Sequence, residues 1–152
     1  MKKKGFTLIE LIVVIAIIAI LSAVVLISYA GAQKRSHDAT RKSDLNAIAT
    51  AVMSYYSSHK RMLDYGGALD SSNVDYGALE DKLKGEGFLT SIPVDPLESN
   101  LSYYLYLSLA DKAGAVYAKM ETNDRAGNQC AVDTNCLGAP PAGYNYGIMI
   151  KP

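Results

Sequence analysis

The chain has 152 residues with 15 basic and 15 acidic side chains, so it is formally neutral and long enough for one compact domain plus an anchor. That balance excludes a general electrostatic attraction to nucleic acid, and no direct nucleic-acid site is evident. Hydrophobic residues make up 49% of the chain, and most of the excess is gathered in the first 30 positions, which sets the amino end apart from the rest.

The chain opens "MKKKGFTLIELIVVIAIIAILSAVV". Lys2, Lys3 and Lys4 precede Gly5, and from Leu8 to Ala30 the only ionisable groups are Glu10 and the phenol of Tyr29. As a helix those 23 residues rise about 34 Å, enough to cross a hydrocarbon core of about 30 Å. A secretory signal pairs a shorter apolar run with a small-residue cleavage site. Here no Pro or Gly interrupts the run before Gly31. The lysines favour the cytoplasmic side, which places everything after residue 30 outside. Glu10 stands against this plan, because a charge deep in a bilayer costs about 2.5–3.5 kcal/mol on insertion scales. Either the acid is tolerated close to the headgroups, or it finds a cationic partner elsewhere.

"KGFTLIELIVVIAIIAIL" resembles the class III signal of type IV pilins and of the pseudopilins of type II secretion, closely so over about residues 4 to 30. The resemblance implies cleavage by a prepilin peptidase between Gly5 and Phe6, then N-methylation of the Phe6 amine. It also gives Glu10 a role, as charge partner during assembly for the terminal amine of a neighbouring subunit. Residues 1–5 are then a leader peptide. Its loss removes three lysines and leaves 12 basic against 15 acidic residues. One departure matters. Many pilins carry a glycine and a proline in the apolar half, where the chain melts in the filament, and Ala19 and Ile27 occupy those positions here. Alanine favours helix and a missing proline avoids a cost of about 3 kcal/mol, so melting is less expected. Gly31 remains a weak point.

Beyond Gly31 the sequence turns polar, yet Leu45, Ile48, Val52 and Tyr55 or Tyr56 recur at spacings of three and four. This predicts one helix from about Thr7 to Ser58, apolar all round in its first half (residues 6–33) and amphipathic in its second (34–58). Similar two-part helices form the spine of pilin subunits. Lys34, Arg35, Arg41 and Lys42 follow the apolar half. They read as a solvated collar, or as partners for acids of neighbouring subunits. Residues 59–152 make a globular head. "DYGGALDSSNVDY" reads as loop, and Leu79 and Leu83 predict a short helix stopped by Gly85 or Gly87. "GFLTSIPVDPLESN" resembles a stretch common in major pseudopilins and several pilins, with Asp95 set to cap or brace the loop.

The last third reads as sheet. Tyr103, Leu105, Leu107 and Leu109 alternate with polar or aromatic neighbours, as do Val116, Ala118 and Met120, and Tyr144, Tyr146, Ile148 and Ile150. "ADKAG" suits the hairpin turn between the first two strands. About three antiparallel strands covered by the long helix give an α+β, pilin-like fold. The tyrosines read as sheet surface or as a subunit-contact patch.

Cys130 and Cys136 are the only cysteines, and outside a membrane they can pair. A loop this small would be stabilised by about 2–2.5 kcal/mol in the chain-entropy model. Two cysteines make a poor zinc site, which wants four ligands. Asp124 and Asp133 stand among several asparagines in the same stretch. Related pseudopilins bind calcium in a loop between the final strands, which makes these two acids calcium candidates, although solvated loop acids are the default and no cofactor is required. Ser57 and Lys60 fit S-x-x-K without its companion motifs, and His37 and His59 lack metal-ligand spacing, so they read as polar helix surface. No G-x-S-x-G and no phosphate-cradling glycine loop occurs, so an enzyme is not expected.

The expected function is a structural subunit of a type IV pilus-like filament, inserted in the cytoplasmic membrane as a single-pass precursor and polymerised outside. Its partners would be copies of itself, the prepilin peptidase, an assembly platform and, before assembly, the lipid bilayer. Within that class the alternatives are a pseudopilin of type II secretion or a minor pilin. Outside it stands a lone membrane-anchored exodomain, which needs neither the Gly5–Phe6 junction nor Glu10. Adhesion, twitching motility and DNA uptake belong to whole filaments and are not legible in one subunit.

Overall fold

A computed structural model describes residues 5–63, 65–68, 76–97, 103–122 and 143–151, without the side chains of 24–28, 66–68 and 76. Its elements in chain order are α1 (Leu8–His59), β1 (Tyr65–Ala68), α2 (Tyr76–Gly85), β2 (Tyr104–Ser108), β3 (Ala113–Ala118) and β4 (Tyr146–Ile150). The chain divides into two units, one ending at Ser36 and one beginning at His37.

In the first unit, every large apolar side chain of α1 from Leu8 to Leu21 is at least 46% exposed. Ser22 donates to the Ile18 carbonyl at 2.8 Å, so its hydroxyl is satisfied within the helix. Among the described residues no helix is long and apolar enough to cross a membrane. The described side chains of the run stop at Ala23, whereas the sequence carries it on through Val24, Val25, Leu26 and Ile27. Its full length is therefore a property of the sequence.

The second unit is built as the helical and strand periodicities require. Leu45, Ile48, Val52 and Tyr55 form the buried stripe of α1, while Tyr56 is half-buried. They pack in one cluster with Leu79 and Leu83 of α2, Leu105 and Leu107 of β2, Val116 of β3, and Ile148 and Ile150 of β4. Each such side chain, fully buried, contributes about 1.5–3 kcal/mol. The four strands lie antiparallel in the order β1-β2-β3-β4. The three expected strands are present, and the α+β arrangement holds.

Three local expectations differ. The "YGGA" stretch, read as loop, pairs with β2 from Tyr65 opposite Leu107 to Ala68 opposite Tyr104. Two glycines lower strand propensity, and pairing with a neighbouring strand overrides that. Leu109 is 48% exposed, because the strand ends at Ser108 and the turn begins. Ser108 and Asp111 brace that turn, and Lys112 closes it with φ 51°. Tyr144 leaves the face of Tyr146, Ile148 and Ile150 and packs beside Ala115 and Tyr117 on the other. The alternation starts only at Tyr146. Before it, the Asn145 side chain accepts from the Met120 amide at 2.7 Å and donates to its carbonyl at 3.2 Å.

The end of α2 shows which glycine stops it. Gly87, at φ +77°, gives its amide to Lys84, and the Phe88 amide reaches the Leu83 carbonyl at 2.9 Å. This is the Schellman arrangement, which glycine supports without strain. Gly114 answers to a different demand. A Cβ there would meet the Tyr106 carbonyl oxygen at 2.3 Å and the Leu107 side chain at 2.6 Å. Backbone cannot move aside as a flexible side chain does. Gly114→Ala is therefore expected to destabilise the second unit by about 1–3 kcal/mol, the range for overpacking. Thermal unfolding of the detergent-solubilised chain, followed by tyrosine fluorescence, checks it; an unchanged Tm contradicts the packing.

Candidate functional site

The amino-terminal site is assembled from adjacent residues. Gly5 has open space where a Cβ would stand, and Phe6 is 84% exposed. Thr7 precedes the helix, and its carbonyl accepts the first helical hydrogen bond from Leu11. Glu10 lies three residues on and turns back. Its Oε2 accepts from the Thr7 amide at 2.7 Å and from the Thr7 hydroxyl at 2.7 Å. In return the Glu10 amide donates to Thr7 Oγ1 at 3.4 Å. This is a capping box, in which two orphan amides of the helix start are satisfied reciprocally. Glu10 therefore has a local task not found by reading it only as a tolerated or intersubunit charge. The T-x-x-E spacing was the signal for it.

The second unit contains a polar centre of another kind. Arg41 is fully buried on α1. Its Nε and Nη2 donate to the two oxygens of Asp95 at 2.7 and 3.0 Å. Its Nη1 donates to Asp38 at 2.8 Å and to Glu121 at 3.0 Å. Asp38 in turn accepts from the amides of Glu121 and Thr122 and from the Thr122 hydroxyl. Asp95 also accepts from the Leu97 amide at 3.0 Å, which braces the proline loop as expected. His37 Nδ1 lies 2.9 Å from Glu121. Among the described residues no buried side-chain nitrogen or oxygen lacks a partner.

The electrostatics follow from these contacts. Hydrogen bonding to Asp95 leads the causes that raise Arg41 above its usual value, outweighing burial, so it stays charged. Burial pushes the Asp38 carboxyl up, but the Thr122 hydroxyl, the two amides and Arg41 together hold it below its usual value. Asp44 moves the other way. Burial and the nearby Asp95 charge raise it, although Tyr103 donates to it at 2.5 Å.

This corrects one sequence expectation. Arg41 is neither a solvated collar residue nor left for a neighbouring subunit, because three carboxylates of its own chain enclose it. Lys34 and Arg35 are exposed. Lys42 lies 5.2 Å from the Tyr146 ring centroid. The histidines are not bare polar surface. His59 stacks on Tyr55 at 4.2 Å and lies 3.2 Å from Glu86. Lys60, of the S-x-x-K match, closes α1 with φ 56°. Tyr104 packs against Tyr117 and Tyr144, with ring centroids 6.4 and 5.9 Å apart; Tyr117 is buried, and the other two are half-buried. Cys130, Cys136, Asp124 and Asp133 lie outside the described residues.

Two outcomes follow for the polar centre. Arg41→Met leaves buried carboxylates uncompensated and should cost about 3–5 kcal/mol. Arg41→Lys should recover only part, since an ammonium cannot span both Asp95 oxygens. Denaturant unfolding of the three proteins measures this, and equal midpoints contradict it. Asp38, with its pKa lowered on folding, stabilises fully above its unfolded value of about 3.9 and loses that contribution as pH falls through the folded value. Asp38→Asn should lower stability at pH 7 and flatten the acid limb; parallel Tm-against-pH curves for wild type and mutant contradict the assignment.

Comparison with known proteins bears on the amino-terminal site. Residues 1–26 match the family model described as the prokaryotic N-terminal methylation motif. The chain is 41% identical over 64 residues to the type IV major pilin protein PilA of Myxococcus xanthus, covering 42% of this chain and 29% of that one. It is 40% identical over 80 residues to the type IV wide pilus major component PilA4 of Thermus thermophilus, covering 48% of this chain and 61% of that one. The matches thus span less than two thirds of either relative. No solved structure matches. With its capping threonine and acid directly behind the Gly5–Phe6 junction, the chain carries the prokaryotic N-terminal methylation motif and is similar, over part of its length, to two type IV major pilus components.

Proposed function

We propose that the chain is a non-catalytic structural subunit of a type IV pilus-like filament. The observation that carries this is the motif match over residues 1–26, joined to a helix whose apolar side chains are exposed from Leu8 to Leu21. Such a helix requires lipid or other copies of itself around it. In this reading Lys2 to Lys4 stay on the cytoplasmic side and the apolar run anchors the precursor in the membrane. A prepilin peptidase cuts between Gly5 and Phe6, and the Phe6 amine is methylated. An assembly platform then moves the subunit into the growing filament, where Glu10 meets the Phe6 amine of a neighbour. The relatives' printed names, both major pilus components, support a pilus subunit over a secretion pseudopilin. The head is exposed outside, where Cys130 and Cys136 form a disulfide.

The test joins processing to assembly. Mass spectrometry should find a mature chain beginning with methylated Phe6; an intact Met1, or a cut near Ala23, contradicts the reading. Glu10→Ala removes an acid from an apolar run, so insertion should not suffer. The head begins beyond that segment and should fold unchanged. Loss of one partner of a buried pair costs about 3–5 kcal/mol at each contact, so filament yield at matched membrane levels should collapse. Glu10→Gln separates shape from charge, and normal yield from both variants contradicts the role of Glu10.

A further inference from the structure

The last turn of α1 meets the stop of α2 at a histidine. His59 is the basic residue of that turn. Its Nδ1 lies 3.1 Å from the Tyr55 carbonyl oxygen, and its Nε2 lies 3.2 Å from Glu86 Oε2. A carbonyl and an ionised carboxylate only accept hydrogen bonds, so each ring nitrogen faces an acceptor. A neutral imidazole has a single N–H and satisfies one of them, leaving a lone pair against oxygen at the other. The imidazolium carries two and satisfies both. The Tyr55 ring is stacked on the imidazole, with centroids 4.2 Å apart, and its negative face favours a cation there. The carbonyls at the end of a helix favour positive charge too. We propose that His59 and Glu86 form a pH-sensitive latch that ties the end of α1 to the stop of α2, closed while the imidazole is protonated and loosened when it is neutral.

Glu86 is placed to act on the joint. It follows Gly85, where α2 ends, and precedes Gly87, whose φ of +77° closes the turn. Phe88 comes next and sets its ring edge-on to Tyr55 and His59, with centroids 5.8 and 6.3 Å away. The same turn gives the Phe88 and Leu89 amides to the Leu83 carbonyl, each at 2.9 Å. A contact at Glu86 therefore steadies those two amides. Of the other charged groups nearby, Lys84 on α2 pairs with Glu80 at 2.9 Å, and Lys60 and Arg61 follow His59 at exposed positions. Among the described residues Glu86 alone lies within ion-pair distance of the ring. The two side chains keep 35% and 39% of their exposure, so water screens the pair and the latch is weak enough to open. Its contacts are complete only in the protonated form. Its contribution is thus present on the acid side and lost as pH rises through the histidine range, roughly pH 5–8. The inference concerns the head alone and stands apart from the filament reading.

Hydrogen exchange of the Phe88 and Leu89 amides tests the latch in the full detergent-solubilised chain. It is measured at about pH 5.5 and about pH 8.5, towards the two ends of the histidine range. Each variant is compared with wild type at the same pH, so that the intrinsic exchange rate and the titration of His37 cancel. His59→Gln removes the charge and the ring. His59→Phe keeps a ring stacked on Tyr55 without the charge. Glu86→Gln keeps the shape of the partner and offers an amide that suits either form of the imidazole. All three sites are at the surface, so the head should fold in each. In every variant the loss of protection should be about twofold to fivefold larger at the acid value than at the alkaline one, the scale of one exposed charge pair. A loss of equal size at both values in His59→Gln, or no loss at either, overturns the proposal. Protection like wild type at the acid value in His59→Phe shows that stacking alone holds the joint and overturns it as well. An acid-specific loss in the His59 variants that is missing from Glu86→Gln overturns Glu86 as the partner, and the latch with it.

Discussion

The head of this molecule is organised around one guanidinium. Arg41 is fully buried, and the groups that satisfy it come from three separate stretches of chain: Asp38 one turn earlier on α1, Asp95 in the proline loop, and Glu121 after β3. A buried ion cluster is weak evidence for stability, since desolvation offsets much of the attraction. Its effect here is geometric. A planar fork with five donors accepts carboxylates only in fixed directions, so the three stretches cannot slide against one another without stranding a charge. Apolar side chains such as Leu105 or Ile148 would tolerate such slippage far better. The apolar core supplies adhesion between helix and sheet, and Arg41 supplies register.

That centre was half legible. Leu45, Ile48, Val52 and Tyr55 mark the buried stripe of α1, and stepping the same spacing backwards lands on Arg41 and then Asp38. Charged residue type argued for the surface, while position argued for the core, and position won because partners were available. The partners could not be read, because Asp95 and Glu121 lie 54 and 80 residues away from Arg41. Asp95 had only its local task in view, the Leu97 amide, and that task is present as well. The strands show the same division. Alternation found β2, β3 and β4, which carry apolar side chains on one face. It could not find β1, whose "YGGA" gains strand character only from its pairing with β2. Nor could it show that Ala115 and Tyr117 are buried on the second face of β3.

At the amino end the legible and the hidden are reversed. The family motif is plain in the sequence, and its residues are local, so no long-range partner was needed to recognise it. What the motif alone left unsaid is what Glu10 does before any neighbour arrives. The helix start supplies the answer from elementary chemistry, because the first amides of any helix lack acceptors and an acid at the third position can provide one. A threonine in front and an acid three residues on solve a problem for a single chain. The same acid, in the proposed filament, solves another between chains.

The two units therefore differ in how complete they are. In the head, every described buried side-chain nitrogen and oxygen has a partner, and the stripe of Leu45, Ile48, Val52 and Tyr55 on α1 is covered. Along the first turns of the helix, the described apolar side chains are exposed. A chain whose head is satisfied within itself can fold before it meets its partners. A chain whose helix is not satisfied must then find lipid or copies of itself. Self-sufficiency in one part and deficiency in the other fits the proposed reading, in which a subunit folds singly and is held in a membrane until it polymerises. In that reading the contacts of Arg41 belong to folding, and the exposed apolar side chains of the first turns are what remains for assembly.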